Sequence, residues 1–133
     1  MEPYGNFKKK VMIIGEAPGA EEDRTGKPWQ GKTGRLLQET LKEIGINLFE
    51  DCISVNAVNC APPNNRTPTK KEIDCCRDIK VLKALAEHSP KKIILLGGVA
   101  LTSFLGDRWK KKLGGITMWR GFAAPDQDYK AWV

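Results

Sequence analysis

The stretch IIGEAPGAEEDRTGKPWQGKTGRLL, Ile13 to Leu37, decides the fold. It opens inside an apolar run, Val11-Met12-Ile13-Ile14-Gly15, held between a lysine cluster and a glycine. Unbroken aliphatic residues over that length read as a parallel strand buried on both faces. Gly15 to Lys32 then forms a long loop rich in glycine, proline and acids, and loops of that length in a compact domain are usually functional. Thr33 is placed to cap a helix running to Ile44, with Leu36, Leu37, Thr40, Leu41 and Ile44 as its apolar stripe and Gly45 as its stop.

The same alternation continues downstream. Ile53 to Val58 is a second strand candidate, followed by NCAPPNNRTP (Asn59 to Pro68), whose prolines and asparagines exclude regular structure. Thr69-Lys70-Lys71-Glu72 is a capping box that opens a helix. Ile73, Cys76, Ile79 or Lys80, Leu82, and Leu85 or Ala86 fall on its inward face, and Ser89-Pro90 ends it. Lys92 to Leu96 is a third strand, Gly97-Gly98 a turn, and Val99 to Leu105 a short helix. The remainder reads as a loop or hairpin, and Ala131-Trp132-Val133 as the start of a further strand. Strand–helix repetition of this kind predicts an α/β fold with a parallel sheet, in one domain spanning residues 1–133. Sites in such sheets lie beyond the carboxyl ends of the strands, so Gly15–Trp29, Asn56–Pro68 and Gly97-Gly98 should converge on one edge.

Gly26, Gly31, Lys32 and Thr33 also match the phosphate-loop pattern G-x-x-x-x-G-K-[ST]. Its context argues against nucleotide hydrolysis. A phosphate loop leaves its strand directly, so that its amides curl round phosphate at a helix start. Here the strand ends at Gly15, well before Gly26. Glu16, Glu21, Glu22 and Asp23 would repel a triphosphate, Pro28 removes a donor amide, and no later strand ends in a magnesium-binding aspartate. The helix start remains a candidate anion site through its free amides.

Composition sets outer limits. The chain has 133 residues, 41% hydrophobic and 29% charged, as expected for one globular domain with its own core. No apolar run approaches the ~20 residues of a membrane span. MEPYGNFKKK lacks a signal-peptide core, so a cytoplasmic protein is expected. A net charge of +6 favours a polyanionic partner. The densest basic run, WKKKLGG (Trp109 to Gly115), is either a solvated loop or a phosphate contact. Cys52, Cys60, Cys75 and Cys76 form no C-x-x-C, and each is expected to be a small buried hydrophobe rather than half of a disulfide.

Taken whole, the first stretch resembles the opening motif of the iron–sulfur type of uracil-DNA glycosylase, G-E-x-P-G-x-x-E-D-x-x-G-x-P-[aromatic]-x-G-x-x-G-x-L-L. NAVNCAPPNNRTPTKKEIDCC resembles that family's N-x-x-x-C-x-P-P-x-N-R-x-P segment, and KIILLGGVAL its third strand. Around WRGFAAPDQ, phage-encoded glycosylase-like domains associated with DNA polymerases are more similar still. The likeness runs from about Val11 to Val133. It implies a three-layer α/β/α fold with a short central parallel sheet, and a pocket for a base extruded from the stack. Gly15 and Gly19 would let backbone approach the base. Trp29 stands where the family stacks an aromatic ring, the alternative being a core tryptophan. Asn56 takes the reading position, where an amide donates to uracil O4 and accepts from N3–H; the alternative is a loop-capping asparagine. Glu16 and the Ala17 backbone would flank the pocket. Glu16, Glu22 and Asp23 are candidate catalytic acids for orienting water or stabilising a cationic sugar; Glu22 reads equally as an exposed acid. Arg66 is a DNA-phosphate contact or a structural loop arginine, and Lys32 a surface lysine within reach of the DNA backbone.

Two features depart from the family pattern. The family's H-P-x-[aromatic] motif, whose histidine donates to uracil O2, has no counterpart before Val133, and His88 belongs to a helix end. Of the four cysteines that hold the family's [4Fe-4S] cluster, Cys60 and Cys76 match the later pair, with Cys75 adjacent, while no cysteine precedes Val11. The expectation is a piece of a longer protein cut at both ends. In this chain the cluster would be incomplete, Cys60 and Cys76 free thiols and turnover slight, whereas the full-length protein would carry both cluster and activity. The expected partners are uracil-containing DNA and, from the phage likeness, a DNA polymerase. The competing reading is a non-catalytic nucleic-acid-binding module serving such a polymerase.

Overall fold

The computed structural model describes residues 1–109, 112 and 114–133. Lys110, Lys111 and Leu113, within the basic run singled out above, lie outside the described residues. The strands are β1 (Val11–Gly15), β2 (Cys52–Asn56), β3 (Lys92–Leu95), β4 (Pro125–Asp126) and β5 (Ala131–Trp132). The helices are α1 (Ala20–Thr25), α2 (Lys32–Glu43), α3 (Leu48–Asp51), α4 (Lys70–Cys76), α5 (Leu82–His88) and α6 (Gly98–Leu105). The sheet order is β2-β1-β3-β5-β4; all neighbours are parallel except the β4–β5 hairpin. This is an α/β fold with helices on both faces of the sheet.

β1 is central, and all five of its residues are buried. Its alternation divides the core. Met12 and Ile14 pack with Ile53, Val55, Leu85, Ala100 and Phe104 towards α5 and α6. Val11 and Ile13 pack with Leu41, Leu48 and Cys52 towards α2 and α3. Full burial of Met12, Ile13 and Ile14 stabilises the fold by about 1.5–3 kcal/mol each. The same period of two places Gly15 on the α2 side of β1 and Asn56 on the α2 side of β2, and these two residues are register partners. The pairing reaches past the end of β2: Ala57 and Val58 donate to the Gly15 and Glu16 carbonyls at 2.9 Å. The open edge of β2 is covered by the N-terminal arm, where Tyr4 bridges Ser54.

Several sequence expectations are corrected. The Gly15–Lys32 loop contains α1, whose first turn carries Glu21, Glu22 and Asp23, acids that favour the positive end of a helix. The cap of α2 is Gly31, not Thr33. Its stripe divides: Leu41 is buried and Leu37 packs beside it, but Leu36 and Ile44 are exposed. The capping box at Thr69 forms as predicted, with both reciprocal bonds. Beyond it, a π-helical turn, Arg77–Val81, joins α4 to α5. A π turn adds one residue to the repeat and so rotates the helical residues after it. Ile79 is therefore 60% exposed, and Val81 is buried instead. The cysteine expectation holds for Cys52 alone; Cys60 and Cys75 are exposed and Cys76 is half-buried. At the far edge, Arg108 lies between the Phe104 and Tyr129 rings, 4.8 and 5.0 Å from their centroids, and bonds Asp126 and Asp128, tying the β4–β5 hairpin to α6.

Candidate functional site

The three loops at the carboxyl ends of β1, β2 and β3 meet around Gly15. A Cβ added there would lie 2.8 Å from Trp29 Cη2 and 2.9 Å from Asn56 Oδ1, so only glycine admits both groups. Trp29 and Asn56 line one side of an open cleft of about 660 Å³, with Glu16, Ala17 and Gly19 from the first loop, Leu37 and Thr40 from α2, and Leu96 after β3. Asn56 is buried, and the hydrogen bond its side chain makes among the described residues is a long one, to the Met1 thioether at 3.8 Å. An amide lacking strong partners at a cleft wall retains donor and acceptor capacity for a ligand.

Trp29 is held by its backbone. Its φ of 59° is left-handed, an uncommon conformation for a bulky residue that persists only where the surroundings impose it. Those surroundings are specific. Gln38 of α2 donates to the Trp29 carbonyl at 2.9 Å, Gln30 to the Pro28 carbonyl at 2.8 Å, and Arg35 to the Gln30 carbonyl at 3.0 Å. Gly34 lets the first turn of α2 press on the loop, since a Cβ there would sit 2.2 Å from the Trp29 carbonyl carbon and oxygen. The ring packs against the α2-side core and also lines the cleft.

Glu22 completes the brace. One carboxylate oxygen accepts from both the Gln30 and Gly31 amides at 2.8 Å. Partial burial alone would raise its pKa, but the amides, led by that of Gly31, outweigh it and hold the carboxyl below its ordinary value. The anion expected at the start of α2 is thus supplied by the chain itself. Of the other candidate acids, Glu16 is exposed and lines the cleft, whereas Asp23 is exposed on α1 and lines neither cavity. Lys32 lies on the cleft rim at the first turn of α2.

A smaller recess of about 210 Å³ adjoins the first loop, lined by Glu16 to Gly19, Pro62, Asn65 and Arg66. Arg66 is engaged: it forms a two-pronged pair with Glu72 at 2.9 and 2.6 Å and donates to the Thr67 carbonyl. Glu72 also receives the capping bonds of Thr69, and Arg66 first, then Thr69, lower its pKa to about 2. Arg66 is thus tied into the capping box of α4 while also lining the recess.

Residues 2–132 match the model of the uracil DNA glycosylase superfamily. The chain belongs to that superfamily. Its relatives include the type-4 uracil-DNA glycosylase of Pyrobaculum aerophilum, 41% identical over 84% of this chain and 57% of the relative, and that of Thermotoga maritima, 44% identical over 76% and 52%. A DNA polymerase of Bacillus phage SP01 is 32% identical over 91% of this chain but only 12% of the polymerase. The chain spans about half the length of the type-4 glycosylases it matches.

Two parts of a glycosylase site are not assembled by these residues. Among the described residues no group of three or more His, Cys, Asp or Glu side chains is placed to hold a metal ion. Cys60 and Cys76 alone do not close a four-thiolate site, so no step is derived through a cluster. His88 packs edge-on against Phe7 at 5.5 Å and lines neither cavity. Among the described residues no helix is long and apolar enough to cross a membrane. The parts that sequence reasoning missed are the supports: Gly34, Gln38 and the bracing role of Glu22, which was named only as a candidate acid.

Proposed function

We propose that this domain recognises a uracil extruded from DNA and that the whole protein hydrolyses its N-glycosidic bond in base-excision repair. The juxtaposition of Trp29, Gly15 and Asn56 carries this reading. Uracil stacks on the Trp29 indole; the Asn56 amide N–H donates to O4 and its oxygen accepts from N3–H, while cytosine offers the opposite pattern at both atoms. In hydrolysis the C1′–N1 bond breaks with its electron pair moving onto uracil, and a water oxygen bonds to C1′ and releases a proton. Glu16 is the acid assigned to face that water, because Glu22 is committed to the Trp29 loop and Asp23 lies outside the cleft. Arg66 and Lys32 flank the base pocket on the sides where DNA phosphates would pass.

The charge developing on uracil O2 calls for a donor. Such preorganised donors contribute roughly 3–4 kcal/mol, a factor of about 10²–10³ in rate. His88 does not reach the cleft, so the 133-residue chain should bind uracil-containing DNA yet release little base. The test is base release from a uracil-containing single-stranded oligonucleotide by the product of the whole reading frame, beside its Asn56→Asp variant. Release abolished or strongly reduced by Asn56→Asp supports the assignment; absence of release from the unmodified product defeats the enzymatic reading. The likeness to a phage polymerase supports a second reading, a non-catalytic module delivering a polymerase to DNA. Binding to uracil-containing DNA without turnover in the whole product would favour it.

A further inference from the structure

Beyond the base pocket, Trp109, Ile116, Met118 and Phe122 present apolar side chains to solvent. Phe122 is 75% exposed and Met118 69%, and neither packs into the three core clusters. Trp109 and Trp119 form an edge-to-face pair at 5.1 Å and 79°, which gives the segment a small packed base of its own. From Lys112 to Pro125 the chain carries two cations, Lys112 and Arg120, both exposed, and no acid. The segment is anchored at the functional edge: a Gly98 Cβ would lie 4.0 Å from Ile116 Cβ, and Gly98 follows the cleft-lining Leu96 by two residues.

Exposed aromatic and thioether groups interspersed with unopposed positive charge suit one class of ligand. Single strands offer a base face to each apolar side chain and a phosphate to each cation, and such surfaces bind largely without regard to sequence. A protein partner would not need the cationic excess, and a second copy of this chain would bring its own positive charge against it. We propose that Trp109 and residues 114–124 form a platform for the single strand flanking the extruded nucleotide, with Phe122 stacked under a base, Met118 in apolar contact with the strand and Arg120 at a phosphate. This rests on the uracil-DNA reading of the cleft, but it assigns a separate surface with a separate signature. The platform should contribute equally to strands with and without uracil, whereas Asn56 acts only on the uracil increment.

The experiment measures binding of the full chain to fluorescent oligo-dT, with and without one central dU, by anisotropy across a salt series. Phe122→Ala should weaken both oligonucleotides alike, by roughly fivefold to a hundredfold, and Met118→Ala should weaken both alike by a smaller factor. Phe122→Trp should restore binding and Phe122→Leu should not, because stacking and not apolar area is what counts. Arg120→Gln should lower the slope of log K against log salt by about 0.7, and Phe122→Ala should leave that slope unchanged. Wild-type affinity in both alanine variants overturns the platform, while a preserved preference for dU that is lost in Asn56→Asp keeps the pocket reading intact. Dimerisation in sedimentation velocity that Phe122→Ala abolishes, with DNA affinity unchanged, also overturns it and identifies a copy-to-copy interface. A wild-type chain that binds neither oligonucleotide defeats both readings.

Discussion

Gly15 and Gly34 both touch Trp29, yet alanine at the two positions should fail in opposite ways. At Gly15 the new methyl would meet the tips of two side chains, Trp29 Cη2 at 2.8 Å and Asn56 Oδ1 at 2.9 Å. Comfortable carbon contacts lie near 3.5–4.0 Å, so each tip must swing by somewhat under 1 Å, an off-rotamer cost of about 0.5–1.5 kcal/mol. Losing glycine's freedom in the unfolded chain returns about 0.4–1 kcal/mol. With two tips displaced the net loss is about 1 kcal/mol, a few degrees in Tm for a domain of this size. The methyl nonetheless occupies the junction of the two groups assigned to the base, so the preference for dU over dT should vanish. At Gly34 the methyl would instead meet backbone, the Trp29 carbonyl at 2.2 Å and its Cα at 2.4 Å. The loop or the first turn of α2 must shift bodily, which costs roughly 2–3 kcal/mol after the better helix propensity of alanine is allowed for. Thermal unfolding followed by circular dichroism, paired with anisotropy on dU- and dT-containing oligonucleotides, separates the cases. A Gly15→Ala protein melting only a few degrees lower and without uracil preference, beside a Gly34→Ala protein melting roughly 6–10 °C lower, is the expected result. Equal Tm losses in the two variants, or an intact uracil preference in Gly15→Ala, would refute the reasoning.

Glu22→Gln should destabilise the fold by about 1–2 kcal/mol at neutral pH, because the Gln30 and Gly31 amides lose a charged acceptor in a partly solvated setting. The Glu22 pKa is lowered in the folded state, so its contribution is complete above the ordinary carboxylate value and is lost as pH falls through the folded one. Denaturant titrations of the two proteins should therefore converge in acid; a constant gap down to about pH 2 would show that the charge is not what matters. With the aromatic disulfide reagent DTNB, Cys60 and Cys75 should react at once and Cys76 more slowly. Cys52, whose thiol is pushed up by burial and then by Asp51, should react only on unfolding, and rapid modification of all four thiols in the native protein would contradict the packing of β2.

What could be read from the sequence was whatever depends on nearby residues. The apolar run at Val11–Gly15, the strand candidate at Ile53–Val58, the capping box at Thr69 and the glycines ending the first and third strands all act locally, and together they bring Trp29 and Asn56 to the same edge. The π turn left no such mark: nothing local in Arg77–Val81 separates it from regular helix, and it is packing that shows Val81 buried and Ile79 exposed. The roles of the three acids were hidden for a similar reason. Glu21, Glu22 and Asp23 look alike in an acidic run, yet α1 turns them in different directions. Glu22 reaches eight and nine residues ahead to the amides of Gln30 and Gly31, where Thr33 would otherwise have served as cap. That bond fixes the left-handed Trp29 in place and also removes Glu22 from the pool of acids able to handle a proton at neutral pH, since a carboxylate stabilised by two amides is a poor base. Glu16 differs on both counts. It directly follows Gly15, lines both the cleft and the recess, and its carboxylate has no hydrogen-bonding partner among the described residues. Where α1 begins thus separates one acid bonded into the Trp29 loop from one left lining the cleft, which is why the proposed water-facing role falls to Glu16.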